Sequence, residues 1–226
     1  MKYNNIRAAE FISRPNRFIA EVLIDGKPEI CHVKNTGRCR ELLIKGVPVW
    51  VQENDNSARK TKFDLIAVKK GEEIINIDSY APNIAAGEWL KKGCLFKDVS
   101  LIKPETKWGN SRFDFYLEHG DKKAFIEVKG VTLEKDGIAL FPDAPTERGI
   151  KHIEELIKAK SEGFEAYLIF VIAMKGISSF SPNYETHKEF GEALKKADKA
   201  EVKILAYDCE VTPESMKIDK RINIKL

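Results

Sequence analysis

Apolar and polar residues alternate in short runs along the first third of the chain, the period-two signature of half-buried strands. Arg17 to Ile24 reads as a strand, Asp25-Gly26 as a two-residue hairpin turn, and Lys27 to Val33 as the returning strand. Val47 to Glu53 is a third strand with Trp50 in its middle, and Lys62 to Lys70 with Glu73 to Asp78 form a second hairpin around Gly71. A short helix is expected over Arg38 to Ile44. Five short strands with one helix suit a small closed barrel of the OB type. Ser79-Tyr-Ala-Pro82 breaks the pattern, so the expected domains are residues 1–82 and 83–226.

The second part changes period repeatedly. Asn83 to Lys92 reads as a helix stopped by Gly93, and Arg112 to Glu118 and Ala124 to Val131 read as strands. Thr146 can cap a helix running to about Glu162, ended by Gly163. Its stripe of Ile150, Ile153, Leu156 and Ile157 faces a core, which leaves Arg148, Lys151, His152 and Glu155 on the other side. Tyr167 to Ala173 has no charged residue and several β-branched ones, as a strand buried on both faces requires. A polar helix over Glu185 to Lys199 and a buried strand over Val202 to Tyr207 complete a mixed α/β pattern.

Composition narrows the class. Hydrophobic residues make up 43% of the 226, enough for a sizeable core, and nine prolines and 14 glycines give no case for disorder. Cys31, Cys39, Cys94 and Cys209 form no C-x-x-C pair, which argues against a four-cysteine zinc site and for reduced thiols. MKYNNIRAAEFISR has no apolar stretch of a secretory leader. The longest apolar run, Ala166 to Met174, falls well short of the roughly 20 residues a membrane helix needs. A cytoplasmic protein with no membrane partner is the expectation.

The net charge of +3 carries little meaning until it is located. Residues 1–82 hold 14 Lys+Arg against 11 Asp+Glu, and residues 83–226 hold 24 of each. The excess therefore sits on the barrel, where Arg17, Lys34, Arg38 and Arg40 are candidates for nucleic-acid phosphates. Trp50 reads either as barrel core or as a platform for stacked bases.

No phosphate-binding glycine loop, dinucleotide fingerprint, H-E-x-x-H or G-x-S-x-G is present. The candidate chemistry lies in residues 111–130, SRFDFYLEHGDKKAFIEVKG. A two-residue turn at Gly120-Asp121 pairs Leu117 with Ala124, Phe115 with Ile126 and Phe113 with Val128 as one apolar face. On the other face it sets Asp114 opposite Glu127, with Lys129 two residues on. Two carboxylates in cross-strand contact repel unless something positive lies between them. A hard, oxygen-seeking ion such as Mg²⁺ or Mn²⁺ would fill that role, with Lys129 orienting water or developing charge on phosphorus. The alternative is that Lys129 neutralises both carboxylates as a structural cluster. Acidic-x-Lys also occurs at Asp25, Glu105, Asp121 and Glu201, so the triplet alone decides nothing; the register does. Glu105 is open between a third acidic ligand and an exposed charge beside Lys103 and Lys107.

At these residues the sequence resembles the sugar fermentation stimulation protein A family. The resemblance rests on Arg14-Pro-Asn-Arg-Phe18, Asn35-Thr-Gly-Arg38 and Val49-Trp50 in the first part. In the second it rests on Gly109-Asn-Ser-Arg-Phe-Asp-Phe115, Glu127-Val-Lys-Gly-Val-Thr132, and Phe141-Pro-Asp-Ala144 with Thr146-Glu-Arg-Gly149 and Lys151-His152. It implies a two-domain fold: an N-terminal all-β OB-like barrel and a C-terminal α/β, restriction-endonuclease-like PD-(D/E)XK mixed sheet with flanking helices. It also implies DNA as partner and a link to sugar-utilisation genes; RNA stays an option because OB barrels bind either nucleic acid. The nuclease motif lands on Asp114, Glu127 and Lys129, with the Val128 carbonyl as a further metal ligand, and the matched block makes Arg148 and Lys151 candidates for substrate phosphate. Phe113 stands where the motif has proline, and Lys34 where proline would precede Asn35.

Overall fold

The computed structural model describes residues 1–35, 37–56 and 58–226. Its first sheet contains β1 (Ile6–Asn16), β2 (Ile19–Ile24), β3 (Lys27–Val33), β4 (Pro48–Glu53), β5 (Phe63–Lys70) and β6 (Glu73–Asn76). The order is β3-β2-β1-β4-β5-β6, and β3 also pairs in parallel with β5. Five strands, β1 to β5, thereby close into the OB barrel, and closure removes the exposed edges an open sheet would present. Asp25 and Gly26 both take positive φ, 48° and 77°, and join Ile24 to Lys27 in the two-residue turn the sequence announced.

The barrel corrects two expectations. The first strand, Ile6–Asn16, carries no clean alternation because its pairing with β2 shifts register twice, after Phe11 and after Ser13. It replaces the expected fifth strand, since β6 lies outside the ring. Arg38 to Ile44 forms turns instead of a helix. Cys39 has φ 45°, which a right-handed helix cannot include, and its carbonyl closes a single turn by accepting the N–H of Leu43 at 2.9 Å. Cys39 and Leu42 are then buried in the barrel core, where a helix would present its own apolar side.

The second domain runs α1 (Ala81–Lys91), β7 (Val99–Trp108), β8 (Ser111–His119), β9 (Lys122–Val131), β10 (Leu133–Lys135), β11 (Ile138–Phe141), α2 (Glu147–Ser161), β12 (Glu165–Ile172), β13 (Ser179–Pro182), α3 (Lys188–Lys199), β14 (Lys203–Thr212), β15 (Ser215–Arg221) and β16 (Asn223–Ile224). The main sheet has the order β15-β14-β12-β9-β8-β7. Its central strand β12 runs parallel to both β9 and β14, and the outer pairs are antiparallel. β12 buries Leu168, Phe170 and Ile172 in one apolar cluster and Ile169 and Val171 in another, which is why its sequence is apolar without alternation. The helix after Thr146 forms as expected: the Thr146 hydroxyl accepts the Gly149 N–H at 3.1 Å, a cap worth about 1 kcal/mol. β10, β11, β13 and β16 make a second, four-stranded sheet.

The two domains share backbone and side-chain contacts. Asn76 N–H donates to the Ala173 carbonyl at 3.0 Å, and Arg38 N–H donates to Asp143 Oδ2 at 3.2 Å. Within the second domain, at the first turn of α1, Pro82 packs so closely on Gly130 that a Cβ there would lie 2.6 Å from the proline ring. No helix among the described residues is long and apolar enough to cross a membrane.

Candidate active site at the β8–β9 hairpin

The β8–β9 ladder has the expected register: Leu117 faces Ala124, Tyr116 faces Phe125 and Phe115 faces Ile126. It stops there. One residue further, Asp114 takes over with its side chain, and its Oδ2 accepts the Val128 N–H at 2.7 Å. The alternation of β8 breaks at this point. Phe115 packs with Leu117, Ile126 and Val128 as expected, but Phe113 belongs to the opposite cluster, with its ring 5.1 Å from that of Phe125. A side chain in place of a ladder carbonyl frees the strand to turn, and Phe113 follows the larger aromatic cluster with Trp108 and Phe125.

The other oxygen of Asp114 is held from the far side of the sheet. Asn83 on α1 donates through Nδ2 to Oδ1 at 2.7 Å. Glu127, 2% exposed, lies on β9. Its Oε1 accepts Lys129 Nζ at 2.6 Å and also meets His152 Nδ1 from α2. Its Oε2 is buried with no hydrogen-bond partner among the described residues. An ionised oxygen left in that state is expensive, by several kcal/mol without a compensating charge.

The electrostatics follow from this packing. Burial, and then the negative charge of Glu127, push the Asp114 carboxyl up to about 6 against the opposing pull of the Val128 N–H, Lys129 and Asn83. Burial also acts to raise Glu127, but the His152 hydrogen bond and the Lys129 charge outweigh it and hold the carboxyl below its usual range. Near neutral pH the site therefore presents two carboxylates to one ammonium group. Among the described residues no three His, Cys, Asp or Glu side chains converge on one point. The donor set suits an ion that takes two carboxylates and fills its remaining positions with carbonyl, water or phosphate oxygens, as Mg²⁺ does.

The other sequence candidates divide. Lys34 is not free for phosphate: its Nζ lies 3.0 Å from Asp78 Oδ2 and 3.4 Å from Asp64 Oδ2, inside the barrel's own network. Arg17, Arg38 and Arg40 are exposed, and Arg17 lies over the ring of exposed Phe18 at 4.7 Å. Arg14 spends its guanidinium on the carbonyls of Arg17, Asn35, Gly37 and Arg38, and so shapes the loop that carries Arg38. Thr36 of that loop lies outside the described residues. Trp50 is half-buried, and its barrel-core reading is corrected: Val49 and Val51 on either side of it belong to the barrel's cluster, whereas Trp50 points the other way and packs against the second cluster, the one with Ile66, Ala67 and Leu90. Glu105 is exposed and pairs with exposed Arg112 at 3.8 Å. Arg148 and Lys151 are exposed on α2.

Two residues of the site escaped sequence reading. Asn83 gave no signal beyond opening a helix. His152 was placed on the solvated face of α2, and that is corrected: it is 6% exposed and shares the buried stripe with Gly149, Ile153, Leu156 and Ala159. The spacing to Leu156 and Ala159, four and seven residues on, held that information.

Comparison with known proteins places the whole chain. Residues 12–77 match the family model described as the SfsA N-terminal OB domain, and residues 80–215 match the one described as the sugar fermentation stimulation protein RE domain. The sugar fermentation stimulation protein homolog of Desulfitobacterium hafniense (strain Y51) is 61% identical over 226 residues, covering 100% of this chain and 99% of that one. The homolog of Clostridium beijerinckii is 60% identical and covers 100% of both. Among solved structures, Pyrococcus furiosus SfsA in complex with Ca²⁺ superposes with a TM-score of 0.91 at 29% identity, over 100% of this chain and 98% of the other.

Proposed function

The chain belongs to the sugar fermentation stimulation protein family, and from that premise we propose that it binds DNA and hydrolyses phosphodiester bonds with Mg²⁺ or Mn²⁺. The observation that carries the reading is Glu127 Oε2, a buried and unpartnered carboxylate oxygen beside the second carboxylate of Asp114. A protein designed only for stability would pair or remove such an atom. The Ca²⁺ complex of the Pyrococcus furiosus relative supports a divalent-cation site, since Ca²⁺ shares the preference of Mg²⁺ for oxygen.

In this reading Asp114, Glu127 and the Val128 carbonyl hold the cation. When bound, it supplies Lewis-acid polarisation of a phosphoryl oxygen and lowers the barrier to deprotonating water. Val128 N–H and Asn83 fix the Asp114 carboxylate, so it needs no reordering when substrate arrives. Lys129 contributes a charge to the water that attacks phosphorus and to the negative charge that grows there. One P–O bond forms to water, the bond to a sugar oxygen breaks, and that oxygen leaves with a proton. The exposed arginines of the barrel supply affinity for the phosphate backbone. The family's name connects the protein to sugar utilisation, and regulation of such genes through DNA is part of the same proposal.

The Lys129–Glu127 contact at 2.6 Å favours a second reading, a DNA-binding regulator whose site is a retained structural ion pair. Incubation with circular single- and double-stranded DNA, with and without Mn²⁺, separates the two. Metal-dependent nicking or degradation that is lost in Lys129→Met supports the enzyme. Binding without cleavage under any divalent ion supports the regulator.

A further inference from the structure

Resting on the metal reading above, we propose that His152 is a positioning residue, which holds the Glu127 carboxylate so that Oε2 is presented to the cation, and that Arg148 sets the ring tautomer with which it does so. The hydrogen bonds assign each proton. Arg148 Nε lies 3.4 Å from His152 Nε2. A guanidinium can only donate, so Nε2 is the accepting nitrogen and the neutral ring carries its proton on Nδ1. That proton is donated to Glu127 Oε1. Lys129 Nζ, likewise a pure donor, reaches the same Oε1. Two donors from two different elements converge on one carboxylate oxygen, and the other oxygen has none. The plane of the carboxylate is thereby fixed, with its free lone pairs kept out of the protein's own network.

The ring itself has little freedom. His152 is buried on the inward stripe of α2 with Ile153 and Leu156. The start of that helix is seated closely: a Cβ at Gly149 would lie 2.9 Å from Thr146 Cγ2 and 3.1 Å from Phe190 Cε2. The helix thus contributes a rigid donor to a strand residue, and a metal ligand braced in this way is the usual partner arrangement around catalytic ions. His152 touches neither cation nor substrate in this scheme. Its effect passes entirely through Glu127.

The test is a Mn²⁺ titration of the full chain followed by thermal unfolding, comparing wild type with His152→Asn, His152→Gln and Asp114→Asn. The Asn amide nitrogen falls where the imidazole Nδ1 lies and keeps the donor to Oε1, whereas the Gln amide falls where Nε2 lies and does not. His152→Gln is expected to weaken Mn²⁺ about 10- to 100-fold, and His152→Asn to keep most of the wild-type affinity. If His152→Gln does not fold when metal-free, His152→Ala replaces it with the same expectation. Equal affinity in the Asn and Gln variants, with Asp114→Asn still abolishing binding, overturns the positioning role and leaves the metal site standing. No Mn²⁺-induced shift in wild type overturns both.

Discussion

The barrel and the main sheet of the second domain each gather two carboxylates around one lysine, and they use them in opposite ways. In the barrel Lys34 lies between Asp64 and Asp78. Arg59 also grips Asp64 with both guanidinium nitrogens, and Asp78 accepts from Tyr3 and from the Tyr80 N–H. Neither aspartate leaves a buried oxygen bare. Burial acts to raise Asp64, yet Arg59 and Lys34 carry it below its usual range. In the sheet Lys129 serves Glu127 alone among the carboxylates it could reach by hydrogen bond, Asp114 has only neutral donors, and Glu127 Oε2 has none. The ingredients are the same, and the difference lies in saturation. A saturated cluster stabilises; an unsaturated one stores a demand for a cation.

That contrast is broken or sharpened most strongly at the two lysines. Lys34→Met should lower stability by about 3 kcal/mol, because it leaves buried Asp78 with neutral donors only while Arg59 still holds Asp64, and should leave the cleavage rate of folded protein unchanged. Chemical denaturation of the variant reads this; a loss below about 1 kcal/mol would show that the barrel cluster does not need its lysine. Lys129→Met should do the reverse. Cleavage should fall about 100- to 1000-fold while DNA affinity stays within a few-fold of wild type, and Mn²⁺ affinity too, because the donor lost from Glu127 Oε1 is offset by removal of a positive charge that repels the cation. A variant that is mainly destabilised, from a wild type that cleaves nothing, would make the two clusters alike.

The pH response separates them next. Asp114 titrates near 6 in the fold against 3.8 when free, so the metal-free native state binds the extra proton. Its contribution is fully present below about pH 4 and is lost as the pH rises through 6, by roughly 3 kcal/mol in all. Asp64, depressed in the fold, acts with the opposite sign: its contribution is present above the free carboxylate range and is lost as the pH falls. Asp114→Asn should therefore flatten the rising-pH loss and Asp64→Asn the acid loss, in metal-free unfolding measured from pH 3 to 8. The same proton competes with the cation, so Mn²⁺ affinity should drop about tenfold from pH 7 to pH 5 in wild type. Invariant affinity over that range would remove Asp114 from the ligand set.

The smallest effect concerns the exposed arginines. Arg17→Ala and Arg38→Ala should each flatten the log–log salt dependence of DNA binding by about one unit, uniformly across sequences. Unchanged slopes in both would move the DNA surface off the barrel.

The sequence disclosed the site's strand residues more readily than its supports. Asp114, Glu127 and Lys129 are set by a short-range fact, the two-residue turn at Gly120-Asp121, and the pairing of Phe115 with Ile126 follows from it. His152 and Asn83 reach the same point from helices 25 residues downstream and 31 upstream of the carboxylates they touch, and no local pattern encodes that meeting. The buried strand β12 was legible because both of its faces are covered. β1 and β7 were not. Register shifts blur β1, and β7 is an edge strand carrying Lys103, Pro104, Glu105 and Lys107, residues that protect an edge and hide a strand pattern. The expected helix at residues 38–44 failed on one backbone angle, at Cys39.

Gly130, directly after Lys129, is pressed against Pro82 at the point where the barrel hands over to α1. This bears on modularity. An interface between independent modules tolerates drift, because each side can be exchanged without consulting the other. Here the first turn of α1, directly after the last barrel residues, has no room against Gly130 for a single methyl group, and it adjoins the residue whose charge the chemistry would need. Swapping in a foreign barrel, or expressing the second domain alone, would change the entry to that turn and release the Asn76–Ala173 and Arg38–Asp143 hydrogen bonds together. The pair has to be inherited, transplanted or redesigned as one cassette.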